Sequence, residues 1–228
     1  MKKIELEGII PVKTQSERVK NKNLRKFSNT TLYELKLKQL SKTKEFSNFI
    51  VSSESIKVLE IANKYKFKTH LRDKYFSTSS VPMSEVYSHL GKQVDCDYVA
   101  WINVTNPLIG SQFYDDAAKI FKKRIAYSKY DCLLSSIENK ENFFYKNKRI
   151  NFSRSPWPRS QDLQPLISLP FAINILKKDD LIKWGSCVGK KPYFFILDSL
   201  LATDIDNQFN FDFCEFIYIN RKKYNLDV

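Results

Sequence analysis

The sequence predicts an α/β protein built on an open, mostly parallel sheet with helices on both faces. Apolar runs of strand length alternate with amphipathic runs of helix length as far as Ser136, the rhythm of βαβ units with right-handed crossovers. The run Tyr98-Val99-Ala100-Trp101-Ile102-Asn103-Val104 is apolar almost throughout, as in strands buried on both faces of a parallel sheet. Polar segments rich in charge fall after the carboxyl ends of the strands, where such sheets bind ligands.

Residues 4–12 are the expected first strand. Its apolar end, Gly8-Ile9-Ile10-Pro11-Val12, carries a proline that a central strand tolerates only where ladder bonds stop. A basic loop follows, then a helix from Thr31 to about Lys42 with Leu32, Leu35, Leu37 and Leu40 facing inward. Phe49-Ile50-Val51-Ser52 is a short buried strand, and Ser55 caps a helix in which Val58, Leu59, Ala62 and Tyr65 recur at i, i+3 and i+4 spacing. Lys68 to Leu71 reads as a third strand, 73–83 as a loop, and Ser84 to Leu90 as a helix. Thr105-Asn106-Pro107-Leu108 breaks the strand that begins at Tyr98. Phe113, Ala117, Ile120 and Phe121 then mark a helix opening at Ser111, and Cys132 to Ser136 is a further strand. Residues 139–170 have no helical period and hold Pro156, Pro158, Pro165 and Pro170; so long an irregular stretch inside a compact domain is usually functional or an interface. A strand at Phe171 to Ile175, a short helix through Leu181 and Ile182, and a strand at Tyr193 to Leu197 follow. Core packing is the expected role of the aromatic residues in that last strand and of Trp101. The final helix sets Phe209, Phe213, Phe216 and Ile217 on one face. The length suits a single domain, 1–228, with an insertion at about 139–170.

Of the 228 residues 43% are hydrophobic, enough for a core without disulfide staples. The net charge of +13 admits polyanionic partners, but the lysines are dispersed along the chain, as a codon bias toward Lys, Asn, Ile and Phe also produces. Lys122-Lys123-Arg124 and Arg221-Lys222-Lys223 sit at helix ends, where they complement the dipole, so no nucleic-acid partner is expected. Cys96, Cys132, Cys187 and Cys214 form no C-x-x-C pair, and His70 and His89 lack ligand spacing. This argues for free thiols in a reducing compartment and against structural zinc. No apolar run approaches a membrane span, and charges interrupt the start of the chain, so a cytoplasmic protein without membrane contact is expected.

Two features carry chemistry. The loop after the first strand holds Lys13, Arg18, Lys20 and Lys22 with Ser16 and Asn23 between them, a donor set suited to a polyphosphate or, alternatively, a solvated basic turn. Asp204 and Asp206, one residue apart in an extended segment, point to the same side and can hold Mg2+ through water and phosphate; capping and solvated acids are the alternative.

Together these stretches resemble the CMP-sialic acid synthetases (acylneuraminate cytidylyltransferases) and the related CMP-KDO synthetases. Residues 9–24 resemble the I-I-P-A-R-x-x-S-K-x-x-x-x-K-N-L signature, and Phe49-Ile50-Val51-Ser52-Ser53-Glu54 resembles I-V-S-T-D. Trp101 to Leu108 resembles L-L-Q-P-T-S-P-L, Arg159-Ser160-Gln161-Asp162-Leu163 resembles R-R-Q-D-L, and Thr203-Asp204-Ile205-Asp206-Asn207 with Glu215 resembles D-I-D-T before a helix ending A-E. The resemblance implies a Rossmann-like nucleotidyltransferase that joins CTP to an anionic, sugar-acid acceptor for surface glycan synthesis. By position, Lys13, Ser16, Arg18 and Lys22 would hold the triphosphate and Asn23 the nucleotide, with Arg72 near it. Lys13, Lys22, Asp204 and Asp206 would form the catalytic set, with the two aspartates on Mg2+. Asn103, Thr105 and Asn106 would line the acceptor pocket. The 139–170 segment would be a dimerisation arm, with Arg159 and Gln161 completing the neighbouring site of a homodimer. Departures lie at Lys13, Glu17, Asn103, Asn106, Ile109, Pro170 and Phe171, where phenylalanine replaces a glycine and fills volume on the acceptor side. They suggest altered acceptor specificity, with a non-sugar acceptor such as a phosphonate, or a non-catalytic relative, as alternatives. A glycosyltransferase using D-x-D is the rival enzyme, but it has no need of the lysine-rich first loop.

Overall fold

The computed structural model describes residues 4–16 and 18–228; the Glu17 departure lies outside them. β1 (Leu6–Pro11) leads into the basic loop, which ends in a small ladder of β2 (Lys26–Phe27) with β3 (Thr30–Thr31). α1 (Leu32–Leu40) follows, capped by the Thr31 hydroxyl, which accepts from the Glu34 N–H at 3.1 Å. Then come β4 (Asn48–Ser53), α2 (Ile56–Lys64), β5 (Lys68–Leu71), α3 (Met83–Gly91), β6 (Tyr98–Ile102), α4 (Ser111–Ile120) and β7 (Cys132–Asn139). The hairpin of β8 (Phe144–Tyr145) and β9 (Lys148–Arg149) precedes β10 (Leu166–Ser168), β11 (Ile173–Lys177), α5 (Lys178–Trp184), β12 (Pro192–Ile196) and α6 (Gln208–Ile219).

The sheet runs β10-β7-β11-β6-β1-β4-β5, with β12 also pairing β7. β5, β4, β1 and β6 are mutually parallel, β12 is parallel to β7, and β10 and β11 are antiparallel to their neighbours. From β1 the chain builds outward to β4 and β5, then returns to β6 on the other side of β1. The β1/β6 crevice is therefore the switch point at which open α/β sheets bind ligands. Pro11 closes β1, as a proline in a central strand must. Successive strand residues divide between two cores: Ile10, Val51, Ala100 and Ile102 pack with residues of α1, α2 and α4, whereas Ile9, Ile50, Val99 and Trp101 pack with residues of α3 and α5.

Five expectations need correction. β7 extends to Asn139 and β10 returns to it, so sheet pairing occupies both ends of the expected insertion. The strand expected at 171–175 lies at 173–177, and Phe171 precedes it with φ 53°, the left-handed region glycine favours. Phe171 packs beside the Trp101 core and does not line the cleft described below, so the glycine of the family signature has a backbone reason, and the volume argument fails. In β12, Phe194 and Ile196 are exposed. α6 turns a different face inward: Phe211, Cys214 and Tyr218 are buried together with the expected Ile217, while Phe209 and Phe216 are 75% and 56% exposed. Apolar residues surround this helix, so periodicity could not choose its face, and contact of Phe211 and Tyr218 with the Phe27 ring decides it.

A buried polar knot fixes the turn after β6. Lys36 on α1 is fully buried and donates to the Asn106 carbonyl at 2.9 Å and to the Tyr114 hydroxyl; burial pushes its pKa down to about 7. Gln39 donates to the Pro107 carbonyl at 2.7 Å. Asn106 Nδ2 then donates to the Pro170 and Ala202 carbonyls at 3.3 and 3.2 Å, tying this turn to the segment that carries the acidic pair.

Candidate active site

A cleft of about 380 Å³ opens at the switch point, within the ~300–1,000 Å³ of small-molecule sites. Its floor is formed by the ends of β1 and β6. One side is the basic loop, with Lys13, Ser16, Arg18, Lys22 and Asn23. Facing it are Asp204 and Asp206 from the segment before α6. Arg72 and the hydroxyl-rich Ser77, Thr78 and Ser79 form a further wall, which continues through Val81, Met83 and Val86 to Trp101, Asn103 and Thr105.

The loop is braced from within. Asn23 Nδ2 donates to the Lys13 carbonyl at 3.0 Å, so this asparagine shapes the loop, and its Oδ1 is buried without a partner. Lys22 is 8% exposed; its ammonium donates to the Ile205 carbonyl and lies 4.0 Å from Asp206 Oδ1. Burial lowers its pKa, the two aspartates oppose that shift, and Arg18 and Lys13 add to it. Arg18 reaches Asp206 at 2.8 Å in an exposed pair.

Asp204 and Asp206 sit in different surroundings although one residue separates them. The Ile205 N–H donates to the Thr105 carbonyl at 2.9 Å, which docks the acidic segment against the turn after β6. Burial raises the Asp204 pKa and the Asp206 charge adds to this, while a hydrogen bond from Thr105 and the charges of Lys22 and Arg18 pull the other way. Asp204 Oδ1 is buried with no hydrogen-bond partner. A buried, unpartnered carboxylate oxygen beside a second carboxylate fits a hard divalent ion. Among the described residues no group of three or more His, Cys, Asp or Glu gathers, but Mg2+ needs only one or two carboxylates when water and phosphate supply the rest.

On the acceptor side, Asn103 Oδ1 accepts from the Trp101 indole at 3.1 Å, which fixes the amide and leaves its NH2 free to donate. Asn106, expected in this pocket, is instead fully buried in the knot beneath it, and is a scaffold residue. Arg159 and Gln161 are exposed and lie outside the cleft; Arg159 pairs with Asp162 at 2.6 and 3.1 Å. Arg72 lines the cleft yet is 5% exposed, donating to the Val12 carbonyl at 3.1 Å, Ser77 Oγ at 3.0 Å and Glu54 at 3.4 Å. The wall from Ser77 to Val86 was not anticipated, although the Ser77-Thr78-Ser79-Ser80 run after a strand end was a usable signal.

A cationic loop facing two carboxylates across the switch point of a parallel sheet defines a nucleotidyltransferase. The sequence model of the cytidylyltransferase family matches residues 8–164, and the chain belongs to that family, the CTP-dependent nucleotidyltransferases. Its relatives include the Campylobacter coli post-translational flagellin modification protein B, 26% identical with 93% of each chain covered. The Campylobacter jejuni CMP-N,N'-diacetyllegionaminic acid synthase is 24% identical over 89% of this chain and 90% of the relative. Among solved structures, a CMP:2-keto-3-deoxy-manno-octonic acid synthetase complexed with CTP superposes with a TM-score of 0.68 at 9% identity, covering 95% of this chain and 99% of the other.

Proposed function

We propose that this cytidylyltransferase activates a sugar acid, of the nonulosonic or KDO-like class, with CTP to give the CMP-sugar and pyrophosphate for surface glycan synthesis. The observation that carries the proposal is the placement of Lys13, Arg18 and Lys22 against Asp204 and Asp206 in one cleft. The names of the flagellin-modification and legionaminic acid relatives support the acceptor class. In this reading Asp204 and Asp206 would hold Mg2+, which would supply positive charge against the triphosphate. Lys13, Ser16 and Lys22 bind the triphosphate, and Arg18 leaves its exposed pair with Asp206 to join them. Asn103 and Thr105 orient the acceptor, whose oxygen attacks the α-phosphorus. The cations stabilise charge building on the departing pyrophosphate, a task for preorganised groups in a partly dry site.

Pyrophosphate release from CTP and Mg2+ against a panel of sugar acids and phosphonates tests this. Turnover is expected with a sugar acid. Turnover with a phosphonate alone moves the enzyme to the alternative acceptor class. No turnover with any acceptor, together with no rise in melting temperature on adding CTP, removes the enzymatic reading.

The protein is also read as a cytoplasmic homodimer; no helix among the described residues is long and apolar enough to cross a membrane. The arm carries exposed Phe144, Tyr145, Ile150 and Trp157, an apolar set suited to cover by a second copy. Arg159 and Gln161 would then serve the partner's acceptor pocket. Lys22→Met and Arg159→Ala, each of low activity alone, are expected to recover about a quarter of wild-type activity after subunit exchange, because half the dimers carry one intact site. Recovery no better than the average of the two variants, or full activity of Arg159→Ala, removes Arg159 from a shared site.

A further inference from the structure

Glu54, at the end of β4, has no place in the chemistry above, yet its carboxylate bridges two walls of the cleft. Its Oε1 accepts from the Thr14 N–H and from the Thr14 hydroxyl, both at 2.7 Å. Its Oε2 accepts from Ser77 Oγ at 3.0 Å and from the Arg72 guanidinium at 3.4 Å. Thr14 belongs to the basic loop and Ser77 to the hydroxyl-rich wall. Arg72 completes the link, reaching Ser77 Oγ on one side and the Val12 carbonyl, at the foot of the loop, on the other. The Glu54 side chain is only 14% exposed. Burial pushes its carboxyl up, but the hydrogen bonds from Thr14 and Ser77 outweigh this and hold it below its ordinary range.

We propose that Glu54 is a positioning residue, a strut that sets the separation of the phosphate loop from the hydroxyl-rich wall and so preforms the nucleotide cleft. The proposal rests on the reading of that cleft as the CTP site. The chemistry requires a carboxylate: four donors converge on the two oxygens, two on each. An amide of the same shape would turn an NH2 toward either the Thr14 donors or the Arg72 guanidinium, leaving buried donors face to face. With the strut in place the two walls need not be ordered by the ligand, and preorganisation of this kind appears as affinity. The strut also occupies Arg72. Its charge is matched by Glu54, so recognition of the triphosphate falls to Lys13, Arg18 and Lys22.

Two variants cut the link from opposite sides, Glu54→Gln and the milder Ser77→Ala. Hydrogen exchange on the ligand-free protein is expected to rise about tenfold or more at Thr14 and across residues 74–79 together in Glu54→Gln, with the core strands unchanged. CTP binding by calorimetry should weaken about tenfold, with the loss in kcat/KM carried by KM for CTP and KM for the acceptor unmoved. The double variant should cost less than the sum of the singles, because both remove one connection. Unchanged exchange in both variants overturns the strut, as does a folded Glu54→Gln protein with wild-type CTP affinity. If the wild-type protein binds no CTP, the assignment of the cleft falls, and exchange at Thr14 and 74–79 still decides whether Glu54 joins the walls. Should Glu54→Gln fail to fold, Ser77→Ala carries the same exchange and affinity tests.

Discussion

Asp204→Asn is expected to lose at least about a hundredfold in metal-dependent turnover while its melting temperature equals or exceeds that of the wild type. The two effects have one cause. Burial raises the Asp204 pKa, with the Asp206 charge adding to it, and the Thr105 hydrogen bond, Lys22 and Arg18 only partly compensate. A carboxyl whose folded pKa lies above its unfolded value gives stability that is fully present below the unfolded pKa, and that stability is lost as pH rises through the folded pKa. At neutral pH the ionised Asp204 is therefore a net cost to the fold, and the amide removes that cost together with the proposed metal-binding charge. Asp206→Ala should lose turnover to a similar degree with little change in stability, since its pair with Arg18 is solvent-exposed and such pairs contribute little. Binding of Mn2+ as a probe should weaken on acidification at a pH above the ordinary aspartate range near ~3.9, because the proton competes at Asp204. Turnover retained in Asp204→Asn, or a lowered melting temperature with Mn2+ binding intact, would remove Asp204 from the metal site.

The parallel half of the sheet and the charged half of the site were legible in the sequence for physical reasons. Strands buried on both faces need continuous apolar runs, and cations at a strand end are conspicuous against them. β11 was legible as a strand, but local pattern carries no information on direction, so its antiparallel insertion between β6 and β7 was not. Asn103 and Asn106 look alike in the sequence. One is held at the cleft by Trp101, and the other is drawn into the core by Lys36 and two carbonyls from distant segments. Lys22 and Lys36 illustrate the same limit. Lysines read as surface charge until the fold supplies carbonyls around them, and those carbonyls come from residues 70 to 183 positions away. Glu54 was visible only as part of a motif, because its four bonds come from three residues on two distant segments.

Lys22→Met is expected to lower kcat/KM by about a thousandfold and to abolish a proton uptake that accompanies CTP binding. Methionine keeps the unbranched shape of the buried stem and removes the charge. In the free protein the ammonium is held by the Ile205 carbonyl and stands near Asp206, and burial lowers its pKa despite the two aspartates. A lysine with a lowered folded pKa costs stability while protonated, and that cost is relieved as pH rises through the folded value toward ~10.4. Losing the charge offsets losing the bond to Ile205, so the variant should remain folded. A triphosphate placed beside Lys22 restores the preference for the charged form. At alkaline pH, binding must therefore take up protons, which calorimetry in buffers of different ionisation enthalpy reads directly. The uptake should vanish in Lys22→Met and persist in Ser16→Ala, which removes a neutral donor from the same loop. A Lys22→Met enzyme within tenfold of wild-type kcat/KM, or one with undiminished proton uptake, would show that Lys22 braces the acidic segment through Ile205 and does not meet the phosphates.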